Sequence, residues 1–254
     1  MNREALAKAN TTGVLRHTSS NWSVCGGITM KTELYKNIES YMLQCMNDSA
    51  HDKEHIYRVL YTALDIAKYE SNINIDVLII SCLLHDIGRQ EQFENSKLCH
   101  AQVGSKKAYN YLINNKFCKK QAMHVKSCIS THRFRSDNPP DSIEAKILFD
   151  ADKLDATGTL GIARTLFYNA QVSEPLYSLD KRGHVLDGST DKMPSFFQEY
   201  KYKLENLYNK FYTNRAIEIA KKRQYSAIAF YSSMLKEVQE CYKHGINQLE
   251  SMLK

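Results

Sequence analysis

The sequence predicts an all-α fold, a compact bundle of packed helices. From residue 30 onward, apolar residues recur at helical spacing, with no sustained alternation of the strand type. Four prolines and ten glycines in 254 residues are few, which suits long helices better than many tight turns. The run IDVLIISCLLHDIG (75–88) is apolar on nearly all sides, as a central buried helix would be.

Each element follows from its pattern. Residues 1–29 show little periodicity and carry the only tryptophan, Trp22. They are expected to be a poorly ordered or non-native extension irrelevant to the chemistry, with Met30 as a natural start. Residues 30–254 then form a single domain, a length ample for burying a core. Helices are expected near 31–46, 50–71, 76–86, 100–115, 119–131, 142–155, 159–170, 195–208 and 213–241. Gly88 follows the last apolar residue of the buried helix and reads as its stop signal. RFRSDNPPD (133–141) is a loop, because two prolines break the pattern. The long polar stretch 172–194 reads as a lid or substrate-facing segment.

Composition narrows the functional classes. The formal charge of +6 suits an anionic substrate, but no long basic run supports nucleic acid as the partner. None of the seven cysteines forms a C-x-x-C pair, and Cys82, Cys118 and Cys128 sit among apolar residues as small core side chains. A reducing compartment, the cytoplasm, is therefore expected. No apolar run approaches the ~18 residues of a membrane span.

The chemistry-bearing residues are histidines and aspartates. AHDKEH (50–55) approaches H-E-x-x-H, the zinc-protease helix motif. However, Ser49 and Asp52 make a capping box, which accounts for the acid without catalysis. A protease base would also sit mid-helix, and this acid lies in the first turn. His55 remains as the candidate, one turn deeper in HIYRV. His85 and Asp86 end the buried helix, where a charge is costly unless paired or metal-bound; a helix simply reaching the surface is the plainer alternative. In LFDADKLDATG, Asp150 and Asp152 lie about 200° apart on a helix and cannot serve one ion. Asp152 and Asp155 share a face. Asp155 also reads as a cap or ion-pair partner. His124 and His184 read as ordinary surface or loop histidines.

The blocks HIYRV, LLHDIGR and DADKLDATGTLGIARTLF come in the order H…HD…D. With them the chain resembles the HD-domain superfamily of metal-dependent phosphohydrolases across about residues 30–240. YKLENLYN…TNRAIEIAKKRQ is similar to a small bacterial branch of it. The resemblance implies one divalent metal held by His55, His85, Asp86 and Asp152. Mn²⁺ is the first expectation, with Mg²⁺, Ni²⁺, Co²⁺, Fe²⁺ or Zn²⁺ as alternatives. It implies hydrolysis of a phosphate ester or anhydride by a metal-activated water, on a small phosphorylated substrate, a nucleotide. Asp86 or Asp155 would orient the nucleophile. Arg89 stands where the family often has lysine, and Arg89, Arg133, Lys153 and Arg164 are candidates for facing phosphate. His100 and His132 would hold a second metal or contact phosphate, and His51 would support the site from behind. A homodimer is compatible with the sequence. A non-catalytic metal- and nucleotide-binding sensor is the competing reading, and the zinc protease is a third.

Overall fold

The apolar run IDVLIISCLL forms helix α3 (Ile75–Leu84), with Val77, Leu78, Ile80, Leu83 and Leu84 buried. The computed structural model describes residues 30–46, 53–133 and 138–253. Asn74 caps α3 by accepting from the Val77 N–H, and its own N–H is donated to Glu144 at 2.7 Å. Around α3 pack α1 (Thr32–Cys45), α2 (Lys53–Ala67), α6 (Lys119–Thr131) and α7 (Ile143–Leu154). Helix α5 (His100–Asn114) lies along α6, and α8 (Gly158–Gln171) lies against α10 (Asn214–Met252). No strand occurs among the described residues; Leu179 and Val185 form an isolated bridge. No helix among them is long and apolar enough to cross a membrane. The expectations for residues 1–29, for His51 and for the Ser49–Asp52 capping box fall outside the described residues.

The structure departs from the pattern in three places. A short helix α4 (Arg89–Glu94) follows the buried one; none of its residues is buried, so it left no apolar stripe to read. The helix expected at 195–208 breaks into α9 (Phe196–Tyr202) and a 3₁₀ turn (Leu204–Asn206). There the Asn206 side chain donates to the Lys201 and Tyr202 carbonyls, satisfying the end of α9. Helix α10 runs on to Met252, past residue 241, since no proline stops it.

The two acids of α7 separate as helical geometry demands. Asp150 faces α10, where it accepts from the Tyr212 and Thr213 N–H groups and the Thr213 hydroxyl. Its role is to fix the start of α10, and burial pushes its pKa up. Asp152 points the other way, toward α2 and α3.

The stretch 172–194 is packed onto the domain, with one residue facing the cavity beside His55. Tyr177 packs on Phe197 and Tyr242, Val185 is buried, and the Tyr231 hydroxyl donates to the Asp187 carbonyl. Of this segment, Glu174 lines a cavity that also reaches His55 and Asp152. The polar composition serves turns: Asp180 and Asp187 each accept backbone N–H groups two residues on.

Gly88 also has a different role from the one its position suggests. Its φ of −101° is not the left-handed helix-stop conformation. Instead, a Cβ there would lie 2.4 Å from the His100 carbonyl oxygen and 2.5 Å from the Gly104 nitrogen. Glycine lets the start of α5 close on the turn after α3, which brings His100 beside Asp86. Gly88→Ala is expected to cost ~1–3 kcal/mol by forcing these backbones apart. The check is the urea midpoint at constant m-value, and an unmoved midpoint would contradict the close approach.

Candidate metal centre

Four imidazoles converge at the C-terminal end of α3. His55 comes from α2, His85 directly follows α3, His100 opens α5, and His132 directly follows α6. All four are buried. Each Nδ1 meets an oxygen acceptor: Asp155 Oδ2 at 2.7 Å for His55, the Cys82 carbonyl at 2.8 Å for His85, Gln92 Oε1 at 2.6 Å for His100 and the Ile129 carbonyl at 2.6 Å for His132. Donating Nδ1–H to these oxygens turns every Nε2 inward as a lone-pair donor.

The inward atoms form two groups. His55 Nε2, His85 Nε2 and an Asp152 carboxylate oxygen lie within 4.8 Å of one another, as do Asp86, His100 and His132. In the first group the two Nε2 atoms are 3.3 Å apart, and Asp152 Oδ1 is 3.2 Å from His55 and 3.9 Å from His85. Cis ligands on an ion with bonds of ~2.1 Å would be about 3 Å apart, so these spacings suit donors around one cation. In the second group His100 Nε2 and His132 Nε2 are 3.2 Å apart.

Asp86 stands between the groups. Its Oδ2 is 3.7 Å from both His55 and His85, while Oδ1 is 3.4 Å from His100 and 3.6 Å from His132. The carboxylate is 4 % exposed. Arg89 Nε approaches Oδ1 at 3.0 Å as an ion pair, and Oδ1 takes no hydrogen bond among the described residues. A buried carboxylate oxygen without a hydrogen bond, flanked by imidazole lone pairs, fits a divalent cation.

The electrostatics agree. Burial would raise the Asp86 pKa, but Arg89 and His85 outweigh it and hold the acid well below the usual carboxylate range. Asp152 is held low as well: burial opposes ionisation and the His55 contact overcomes it. Burial keeps His85 and His100 neutral, with pKa values lowered to about 4 and about 2. His55 is the exception. Burial acts to lower its pKa, but hydrogen bonds to Asp152 and Asp155 raise it to about 9.

Asp155 sits behind His55, away from the place where a nucleophile would be oriented. Arg58 donates Nε to its Oδ1 at 2.7 Å, and Arg164 pairs with Oδ2. With two arginines and an imidazole on it, its pKa falls to about 2 despite burial. It is therefore a positioning group, and the ion-pair alternative read from its spacing describes it better than the nucleophile role. Asp86 is likewise walled in by the histidines.

A cavity of about 590 Å³ reaches His55, Asp152, His100 and His132. All four expected cations, Arg89, Arg133, Lys153 and Arg164, line it. Lys153 lies 4.3 Å over the Phe149 ring, and burial lowers its pKa to about 8. Arg133 Nη1 is 3.7 Å from Cys99 Sγ. Outside the cavity, His124 pairs with Glu144 at 3.1 Å and His184 is exposed beside Asp180. Sequence reasoning missed Arg58, although its spacing three residues after His55 on the same helix face signals the contact. It also missed Gln92, and Tyr168, Asn169, Glu199 and Lys203 on the cavity wall, whereas Glu174 belongs to the segment expected to face substrate.

The HD domain family model matches residues 53–157, which span His55, His85, Asp86 and Asp152. This stretch is similar to HD domains. Bacillus subtilis YpgQ, an uncharacterised protein, is 26% identical over 209 residues, covering 80% of this chain and 93% of YpgQ. A crystal structure of YpgQ in complex with ADP superposes with a TM-score of 0.62 over 80% of this chain and 97% of that one. A protein from an uncultured Thermotogales bacterium, described as a predicted HD superfamily hydrolase, matches at 27% identity and a TM-score of 0.54, over 81% of this chain and 92% of its own. One from Bacillus thuringiensis matches at 25% and 0.62, over 82% and 98%. The chain thus has the fold of the HD superfamily hydrolases.

Two measurements probe the cluster. Proton and ion compete for His55 Nε2, so divalent-metal affinity is expected to rise about tenfold per pH unit through neutrality and level off near the His55 value of about 9. Calorimetry in buffers of different ionisation enthalpy should show close to one proton released per ion at pH 7, and zero release would contradict the assignment. Asp155→Asn is expected to weaken metal affinity by about 10–100-fold, because the His55 ring loses its orienting carboxylate. Wild-type affinity in that variant would mean Asp155 serves only its arginines.

Proposed function

We propose that the chain is a metal-dependent phosphohydrolase that cleaves a phosphate ester or anhydride of a small nucleotide. The observation that carries this reading is the Asp86 carboxylate set between two pairs of inward-facing Nε2 atoms, beside a cavity lined by four cationic side chains. His55, His85, Asp86 and Asp152 would hold a divalent ion. The mixed nitrogen and oxygen set suits Mn²⁺ first, then Mg²⁺, Fe²⁺, Co²⁺, Ni²⁺ or Zn²⁺. When bound, such an ion supplies a Lewis acid for the phosphoryl oxygen and lowers the pKa of a coordinated water.

The remaining work belongs to the chain. Arg89, Arg133, Lys153 and Arg164 neutralise phosphate oxygens and the charge that grows on them. Asp155, the Cys82 and Ile129 carbonyls and Gln92 keep the four rings in one tautomer and orientation. His100 and His132, with Asp86 Oδ1, offer room for a second cation or for a protonated phosphate oxygen. The ADP complex of YpgQ supports a nucleotide as the substrate. The free cysteines support a reducing, cytoplasmic setting.

The test is a screen of Mn²⁺-loaded protein on nucleoside mono-, di- and triphosphates and simple phosphate esters, scoring released phosphate and pyrophosphate. His85→Ala and Asp86→Ala should each lower kcat by about 100-fold or more, as loss of a metal ligand does. Unchanged turnover in both would remove the site assignment. Tight nucleotide binding without turnover by the wild-type protein would make the site a sensor.

A further inference from the structure

One face of α8 runs along the cavity, carrying Gly161, Arg164, Thr165, Tyr168 and Asn169. These positions recur at helical spacing, so they form a single stripe. The stripe has a fixed starting point, because Arg164 contacts both Asp155 and His55 Nδ1. Asn169 lies five residues further, about 7.5 Å along the helix axis. That is roughly the step from a phosphate across one ribose to a base.

Asn169 is out of place as a structural residue. It is 4 % exposed, and its Nδ2 has no hydrogen-bond partner among the described residues. Asparagine is a poor helix former, and a buried amide donor left unpaired is costly. It stands seven residues after buried Ile162, where an apolar side chain would simply continue the inner face. Its surroundings suit a heterocycle. Glu174 donates its backbone N–H to the Asn169 carbonyl at 2.8 Å and lines the same cavity. No hydrogen bond or ion pair engages the Glu174 carboxylate among the described residues. Tyr168, 60 % exposed, adds an aromatic face beside them. The carboxylate of Glu174 makes this end unsuited to a second phosphate, in contrast to the cationic end.

We propose that Asn169 is the specificity-determining residue of the cavity, donating from its amide to a ring nitrogen of an amino-bearing nucleobase while Glu174 accepts from the exocyclic amine. Asparagine reads an amino-purine edge in the same way elsewhere. The inference rests on the phosphohydrolase reading and adds the identity of the group held away from the metal.

The experiment measures the ratio of kcat/KM for an adenine nucleoside triphosphate to kcat/KM for inorganic tripolyphosphate, both with Mn²⁺. Asn169→Asp, which removes the donor at constant size, is expected to lower that ratio about tenfold or more, chiefly through KM of the nucleotide. Asn169→Leu, which instead extends the apolar face, should lower it similarly and guards against a folding artefact. A ratio that stays put, whether both rates fall together or neither does, overturns the proposal. Wild-type protein that cleaves tripolyphosphate as efficiently as the nucleotide also overturns it, yet leaves the phosphohydrolase reading standing. Wild-type protein that cleaves neither of these nor any nucleotide or phosphate ester of the screen above overturns both.

Discussion

The structure turns on one buried carboxylate. Asp86 sits at the end of an apolar helix, almost closed off from solvent, with an oxygen that takes no hydrogen bond among the described residues. Such a group is tolerated only where positive charge surrounds it. Arg89 and His55 supply positive charge, His85 and His100 offer neutral Nε2 donors to a cation, and each of the four imidazoles is itself held by an outer oxygen. Remove the demand of that carboxylate and little else explains why four helices bring a histidine to one point.

Meeting the demand shapes the backbone. Gly88 allows α5 to approach the HD turn closely, which is how His100 reaches the far side of Asp86. Asp150 and Asp152 divide the labour of α7: one fixes α10 through Thr213, the other faces His55. Arg164 then ties the first turns of α8 to Asp155, so the cavity wall starts from the same cluster that would hold the metal. A rigid wall anchored at the reacting end is what lets a residue further along α8 sense the rest of a substrate.

Much of this was legible along the chain. Helices with an apolar stripe could be read because burial imposes a period of 3.6 residues, and α3 because it is buried all round. His85 and Asp86 could be read because they are neighbours in an apolar setting. α4 could not, because none of its residues is buried. Nor could the function of Gly88, whose constraint comes from a backbone that arrives twelve residues later. Gln92 and Lys203 carry no local signal at all, since their partners and the cavity are set by tertiary contact.

From the sequence alone came the helical class, the order H…HD…D, the opposed faces of Asp150 and Asp152, and a pool of candidate cations. These are local properties: spacing on a helix, adjacency in the chain, and the cost of charge beside leucine. Only the tertiary structure decided that Asp155 stands behind His55, that Asp86 lies between two histidine pairs, and that the polar stretch 172–194 packs against α9 and α10. It alone set Asn169 in the wall of the cavity with an unpaired donor. Those outcomes depend on distances between residues far apart in the chain, and no periodicity encodes a distance that helix packing has yet to create.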